Sequence, residues 1–457
     1  MANGGATVAE PFDHHGGSRP RGIDNVPRSS IDTGRYGRMF RRLPPLTLTE
    51  QALTALAESM GQGRTPVDNP DIPSGYTYVG QFVDHDITYD PGSSLERLND
   101  PDALHSFRTP RFDLDSLYGT GRHDSPWLYD QEDPDKLLVG HNQGAAFEPV
   151  DLPRNEQGRA LIGDPRDDIH VIIGQLHLAF IRFHNAAIDL LRTLFVHPDE
   201  IFDEARRLTR WHYQWVVVHD FLPRVAGADV VAEALCRPRF YTWRRQPFLP
   251  VEFAGAAYRF GHTLVRAGYR LNDTLDVLPI LTDIRVPNPV QHLGGFRRLP
   301  RRWTVQWDLF FAVDGSTPQP SQRIDTRVAE PLRVLPADVD RPRRSLALLN
   351  LLRGRALGLP SGQAVAAAMG TAVPNSRLEL PGDTPLWFYL LREAEVLEEG
   401  RRLGPTSARI VAEVLVGLLR GDPGSFLRVE PTWEPELPSA GHGHFDMVDL
   451  LRFAGVA

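Results

Sequence analysis

Five short segments of this chain put histidine, arginine and carboxylate side chains among apolar residues, and these are where chemistry could sit. The first is Gly80-Gln81-Phe82-Val83-Asp84-His85-Asp86. On a helix Gln81, Asp84 and His85 stand at i, i+3 and i+4 and share a face, while Val79, Phe82 and Val83 supply packing. That trio suits orienting a peroxide, a water or a metal; a hydrogen-bonded core histidine accounts for it equally well. The second segment is Gly163-Asp164-Pro165-Arg166, just ahead of the longest apolar run, a helix entrance where an arginine is usually structural. The third, Arg259-Phe260-Gly261-His262-Thr263-Leu264, lies in an apolar stretch where Gly261 leaves room for something flat beside the imidazole. In the fourth, Leu349 to Arg355, Asn350 and Arg353 are three apart on a face otherwise made of leucine, and polar groups there must find partners. The fifth, Thr109-Pro110-Arg111-Phe112-Asp113-Leu114-Asp115, puts oxygen donors at every second residue, a spacing that suits a hard cation such as calcium or a solvated Asp loop.

Other chemistries are excluded by what the chain lacks. There is no P-loop, no Rossmann glycine fingerprint, no His-Glu-x-x-His and no nucleophile elbow. Cys236 is the only cysteine, so no disulfide or cysteine-based metal cluster can form, and its helical surroundings predict a buried structural thiol. A net charge of −8 with 41% apolar and 24% charged residues describes a soluble globular chain and gives no drive for nucleic-acid binding. Lys136 is the only lysine, so the cations are almost all arginine. The run Val171–Phe195 is interrupted by Gln175, His177, Arg182, His184 and Asn185 and reads as a core helix rather than a membrane span. Without an apolar stretch in residues 1–26, no signal peptide is expected and a cytoplasmic location is, with leaderless export as the alternative.

These segments need elements to position them. Residues 1–33 read as a flexible N-terminal arm, with order expected from Tyr36 and one catalytic domain over 34–457. Thr49 is placed to cap a helix over Glu50–Met60. Apolar recurrence near 3.6 predicts further helices at Tyr76–Asp86, Asp168–Phe195, Pro198–Val225, Phe253–Ala267, Ser345–Arg355, Ser361–Met369, Pro385–Glu399 and Thr406–Leu419. Strand signals are short, as at Val251–Phe253 and Trp303–Trp307. Loops Asp90–Pro110 and Arg122–Asp164 are too long for plain connections and are expected to be functional or to wrap over the core. The expected architecture is mainly α: a large single domain with long loops and few short strands.

In this order the five segments resemble the animal-type haem peroxidases of the peroxidase–cyclooxygenase superfamily, in particular their shorter bacterial members, from about Tyr36 to the C-terminus. The resemblance implies a haem peroxidase fold, with Gly80–Asp86 as the distal helix and Arg259–Leu264 as the proximal one. It implies that His85 and Arg166 are the distal acid–base and charge-stabilising pair, and that Gln81 orders water and small anions. His262 would ligate the haem iron and Asn350 would accept a hydrogen bond from its other nitrogen, favouring high-valent iron. Arg259 and Arg353 would approach the haem propionates or ring edge, the other reading being core-spanning salt bridges. Asp86, Thr109, Arg111 (through its carbonyl), Asp113 and Asp115 would bind calcium.

Departures narrow the expectation. Vertebrate members attach haem through ester links from an Asp and a Glu; Asp84 stands at the first position, but Ile169 stands at the second, with His170 after it. At most one ester link to haem b, through Asp84, is expected, and with it a less extreme potential. Where relatives often continue with Asp-His after the arginine matching Arg355, this chain has Ala356-Leu357. The implied activity is peroxide-dependent oxidation of iodide, bromide, thiocyanate or phenolic donors, with chloride oxidised poorly. Scavenging in the response to oxidative stress, defence and biosynthesis would all fit. The alternatives are a fatty-acid dioxygenase of the same superfamily, which would carry a tyrosine where Arg259 stands, and a non-enzymatic haem carrier or cargo. Hydrogen peroxide and a small reducing substrate are the expected partners; the sequence gives no oligomeric state. His177 and His184 read as hydrogen-bonded core residues, His442 and His444 as part of a surface loop.

Overall fold

The structure, a computed structural model, describes residues 34–61, 66–88, 105–106, 110–143, 148, 150–194, 197–244, 246–281, 291–335 and 345–457. The expected arm over 1–33 lies outside them. The longer helices are α1 (Glu50–Ser59), α2 (Gly75–Ile87), α3 (Val171–Thr193), α4 (Pro198–Val216), α5 (Ala228–Cys236), α6 (Leu346–Ala356), α7 (Gly362–Met369), α8 (Leu386–Leu397), α9 (Pro405–Gly421) and α10 (Met447–Phe453). A π-helical turn at Val217–Phe221 carries α4 onward into Leu222–Ala226. Strands are short: Gly34–Gly37 pairs with His105–Ser106 and Leu249–Pro250, Asp68–Pro73 with Pro320–Gln322, and Gly268–Tyr269 with Leu278–Pro279. The chain is mainly α, as its periodicity predicted.

Helix α3 is the centre of the molecule. It packs against α2, α4 and α10, and every residue from Val171 to Ile181 is buried, so the one helix among the described residues that is long and apolar enough to cross a membrane is a core helix. Its polar residues are paired inside. His184 meets the Tyr118 hydroxyl at 3.0 Å and the Asp135 carbonyl at 2.8 Å. Asn185 exchanges both of its amide hydrogen bonds with the backbone of Leu137. These contacts strap the loop at Asp135 and Leu137 onto the helix, in keeping with a loop that wraps over the core.

Helix α2 is fixed at both ends by backbone. At its start, Ser74 and Gly75 donate to the carbonyls of Gln319 and Phe310, and a Cβ on Gly75 would lie 2.4 Å from the Phe311 ring. At its end Thr88 donates to the Asp84 carbonyl through both its backbone N–H and its hydroxyl. Thr49 caps α1 by accepting from Ala52, as read from sequence.

Four expectations change. The helix predicted over 253–267 is instead Val251–Gly255, a 3₁₀ turn Ala257–Phe260 and one turn Gly261–Leu264, broken at Ala256 (φ −143°, ψ −69°). Apolar periodicity does not register a single non-helical residue, and a helix already begins at Val251, where a strand was expected. Trp303–Trp307 is not a strand; its backbone is irregular and leads into the turn Trp307–Leu309, with the Gln306 N–H donating to Leu271. Cys236 is exposed rather than buried, because it is the last residue of α5, on the side turned away from Val231 and Ala234.

Candidate active site

The face of α2 carrying Gly80, Gln81 and Asp84 is its least covered, with buried residues on either side. Next to it His85 is almost fully enclosed, and its Nδ1 lies 2.6 Å from Asp167 Oδ1. The other oxygen of Asp167 is 2.8 Å from His177 Nδ1, so one buried carboxylate joins a histidine of α2 to a histidine of α3. Burial raises the Asp167 carboxyl, but the hydrogen bonds from His177 and His85 outweigh that and hold it below the ordinary carboxylate range. An ionised carboxylate only accepts, so both Nδ1 atoms carry the proton. In neutral His85, Nε2 is therefore the lone-pair nitrogen.

Gln81 Oε1 lies 3.0 Å from His170 Nε2, and His170 Nδ1 caps α3 by accepting from the Ile173 N–H at 3.3 Å. Arg166 stands in the 3₁₀ turn Pro165–Asp168. Its Nη2 donates to the carbonyls of His85 (2.9 Å) and Thr88 and to Asp164 (2.7 Å), and its Nε also bonds Asp164. The guanidinium thus clamps the C-terminal end of α2, where a cation is favoured by the helix dipole. These contacts are the structural duty that a loop arginine at a helix entrance commonly has, and they hold its charge beside His85.

His262 sits in the turn Gly261–Leu264, its Nδ1 2.8 Å from the Asn350 amide on α6. The predicted pair is therefore brought together. The polarity differs: the amide nitrogen faces Nδ1, whereas acceptance by Asn350 requires its oxygen there. A half-turn about Cβ–Cγ exchanges the two atoms at the same place, and metal ligation through Nε2 would demand it, since Nδ1 would then hold the proton. Burial, together with the charges of Arg259 and Arg353, pushes His262 down to about 3, so the ring is neutral, as a metal ligand must be. Arg259 itself is pushed down to about 9 by burial and then by Arg353, partly offset by Asp84. Two guanidinium groups close together in a dense region favour an anionic companion. The space beside Gly261 is open, since a Cβ there would meet nothing within 4 Å. These features fit haem: a neutral imidazole, a flanking pair of cations suited to propionates, and room beside the ring.

The acidic loop is less complete. Thr109 lies outside the described residues. Asp86 is fully buried, and its charge helps raise the Tyr213 phenol well above its ordinary range, after burial itself. Leu114 takes a left-handed conformation (φ 59°, ψ 40°) that turns the chain from Asp113 into the single helical turn Asp115–Tyr118, following Arg111 and Phe112. Gly163 donates to the Ser116 carbonyl, tying this loop to the Arg166 turn. Among the described residues the one trio of ligand atoms within 4.8 Å of each other is His444, Asp446 and Asp449, so Asp86, Asp113 and Asp115 are not gathered that closely. The His444 group is a capping box whose Asp446 and Asp449 bond backbone N–H groups of α10 and its approach.

Residues 96–385 match the family model described as animal haem peroxidase. The chain belongs to that family. The animal haem peroxidases it resembles include chorion peroxidase of Drosophila melanogaster, 26% identical over 388 residues, which cover 78% of this chain and 43% of that protein. Eosinophil peroxidase of Mus musculus is 27% identical over 277 residues, 54% of this chain and 37% of its own length. The chain thus spans less than half of either relative. Among solved structures, peroxidase A from Dictyostelium discoideum superposes with a TM-score of 0.60 at 16% identity, over 86% of this chain and 88% of that one. A fatty acid alpha-dioxygenase of Arabidopsis thaliana gives 0.57 at 16% identity, over 84% and 72%. At that identity the likeness is one of fold.

Two site residues of this family member escaped the sequence reading. Asp167 stands next to Arg166 in Arg166-Asp167-Asp168, where adjacent carboxylates gave no reason to prefer one. His170 was noted as a departure and not as a hydrogen-bond partner. The i, i+7 spacing of His177 and His184 correctly signalled one buried, bonded face, but not that His177 shares a carboxylate with His85. Replacing Asp167 with Asn leaves two buried imidazoles without their common acceptor. Asn offers one acceptor oxygen where the carboxylate offers two, so Asp167→Asn is expected to cost about 1–3 kcal/mol in denaturant unfolding, the penalty of a buried donor left unpaired. Because the folded carboxyl is depressed, its contribution is present above the ordinary carboxylate range and is lost as pH falls through the lower folded value. The gap between wild type and variant should therefore hold from pH 7 to pH 5 and close below about pH 4. A gap that persists undiminished at pH 2 would refute the ionised bridge.

Proposed function

We propose that this chain is a haem-dependent peroxidase that reduces hydrogen peroxide and oxidises small anions (iodide, bromide, thiocyanate) or phenolic donors. The observation that carries it is the His85–Asp167 contact: with Nδ1 committed to a buried carboxylate, Nε2 of His85 is a base of fixed tautomer beside the least covered face of α2. His262, oriented by Asn350, would hold the iron, and Arg259 and Arg353 would receive the propionates. When bound, the haem supplies the redox centre that takes two oxidising equivalents from peroxide.

His85 Nε2 takes the proton from one peroxide oxygen and returns it to the other. Asp167 steadies the imidazolium formed in between, as a buried carboxylate does in hydrolytic triads. Arg166 holds positive charge close to the developing anion. The dioxygenase reading is disfavoured because Arg259 occupies the position that would need a tyrosine, and Tyr258 donates its hydroxyl to the Gly80 carbonyl at 3.2 Å. A mere carrier would have no use for a tautomer-locked base.

His85→Ala should keep the haem absorption spectrum and lose peroxide reduction by about 10²–10⁴-fold. In the wild type, one equivalent of peroxide should bleach the Soret band, and iodide or a phenol should restore it. A wild-type spectrum indifferent to peroxide would remove this reading and favour the carrier. We also infer at most one covalent haem link, through Asp84, since Ile169 cannot form an ester. Acid–organic extraction reports it directly: complete release of haem means that no bond to Asp84 forms. Calcium at Asp86, Thr109, Arg111, Asp113 and Asp115 is part of the same proposal, supported by the complete burial of Asp86 next to His85. Elemental analysis should find about one calcium per chain, lost in Asp86→Asn. Adding calcium at a hundredfold excess over its Kd should stabilise the chelated protein by about 2.7 kcal/mol. A metal-free protein of unchanged stability would sink the calcium assignment.

A further inference from the structure

His170 is a junction between a helix end and the distal amide. It is the N-cap of α3, and its Nδ1 faces the backbone N–H of Ile173. That N–H can only donate, so Nδ1 must be the lone-pair nitrogen of the ring. Burial, with His85 adding and Asp167 opposing, pushes the His170 ring down to about 3, so it stays neutral and carries its one proton on Nε2. Nε2 lies 3.0 Å from the Gln81 amide, which must answer with its oxygen. The amide nitrogen is thereby turned away from His170.

The ring cannot easily choose otherwise. Tyr78 meets it edge-on with centroids 5.0 Å apart, and Tyr78 and Gln81 are at i and i+3 on α2. Its backbone is bridged to Gly294, with Val171 donating to Leu293 and Gly295 to Ile169. Gly295 lies so close that a Cβ would sit 1.8 Å from the Asp168 carbonyl.

We infer that His170 is a specificity-determining positioning residue: it fixes Gln81 as a pure hydrogen-bond donor on the least covered face of α2, and so selects small anions there over neutral or cationic groups. The inference rests on the peroxidase reading for its location above haem, but the polarity of the Ile173–His170–Gln81 chain stands on hydrogen-bond logic alone. Nothing is transferred in this chain; each group keeps its proton, and only orientation is passed along. Its source is one of the unsatisfied N–H groups of the α3 N-terminus.

Fluoride is the probe, a small anion that accepts hydrogen bonds and binds ferric haem with an optical change. In the haem-loaded protein, His170→Leu should raise the fluoride Kd about five- to tenfold, the worth of one hydrogen bond. His170→Gln, whose amide can still donate to Gln81, should stay within about threefold. In a Gln81→Ala background the His170→Leu effect should vanish, which a general loss of structure would not produce. Iodide oxidation should lose in KM more than in kcat in the Leu variant. Equal fluoride affinity in wild type and His170→Leu, with the haem spectrum intact, would overturn the inference. Independently, a long-range ¹H–¹⁵N histidine spectrum of the diamagnetic carbon monoxide form should show His170 protonated on Nε2; protonation on Nδ1 would also overturn it. If the chain takes up no haem, the peroxidase reading fails, while the same spectrum of the purified chain still decides the polarity.

Discussion

A carboxylate with no access to water needs at least two strong donors to remain charged, and Asp167 finds them on two different helices. That requirement organises the rest. Because His85 belongs to α2 and His177 to α3, ionised Asp167 holds the two helices in one register. Its neighbours do related work. Asp164 caps the turn and engages the Arg166 side chain, and Asp168 forms a two-pronged pair with Arg154 at 2.6 and 2.8 Å. Arg154 also pairs with Asp151, which accepts from Leu299. The segment from Asp164 to His170 is thus a staple in which almost every polar side chain joins separate parts of the chain. Leaving any one partner unpaired in such a buried network costs far more than the pair contributes.

The staple explains how long loops deliver precision. Positions on loops are normally less exact than positions on helices. Here the loop is short between its fixed points, and its backbone is bracketed by the 291–296 segment, where Gly295 leaves no space for a side chain. The two distal groups are then set by different means. His85 has its proton placed by a charge, whereas Gln81 is oriented by a neutral relay from a helix end. A charge makes a basic nitrogen and a relay makes a donor, so neighbouring positions of α2 hold both of the functions that the proposed peroxide chemistry would divide between atoms.

Much of this was legible in the sequence. Gln81, Asp84 and His85 fall on one helical face because the period of α2 is undisturbed, and His262 meets Asn350, a polar residue on an otherwise leucine-rich face that needs a partner. What the sequence conceals are choices between like residues and single backbone breaks. Asp167 and Asp168 are chemically identical in the chain, and only packing sends one to histidines and the other to Arg154. Ala256 breaks the proximal segment directly after Gly255, where a Cβ would lie 2.7 Å from Leu357, and a lone glycine in an apolar run does not by itself announce a break. Cys236 is exposed because a helix end, and not helix composition, decides its surroundings. The direction of an amide is equally invisible, being a property of the partner and not of the Asn or Gln.

Fold alone does not separate the peroxidase from the dioxygenase, since both superpose on this chain to a similar degree. On the proposed reading, the separation lies in the register of the proximal turn. A radical-forming phenol must lose its proton as it loses an electron, so it needs an acceptor that is itself a base. The Tyr258 hydroxyl donates to a backbone carbonyl of α2, and its ring stacks on Phe253 at 4.7 Å. Burial, and then the charge of Asp84, push this phenol well above its ordinary range. A carbonyl takes no proton, so this hydrogen bond makes Tyr258 a brace between the proximal turn and α2. Arg259, one residue on, donates from Nε to the Ala254 carbonyl and accepts at its own carbonyl from the Trp387 indole, and on the proposed peroxidase reading it is the cation that stands where a dioxygenase would carry a phenol.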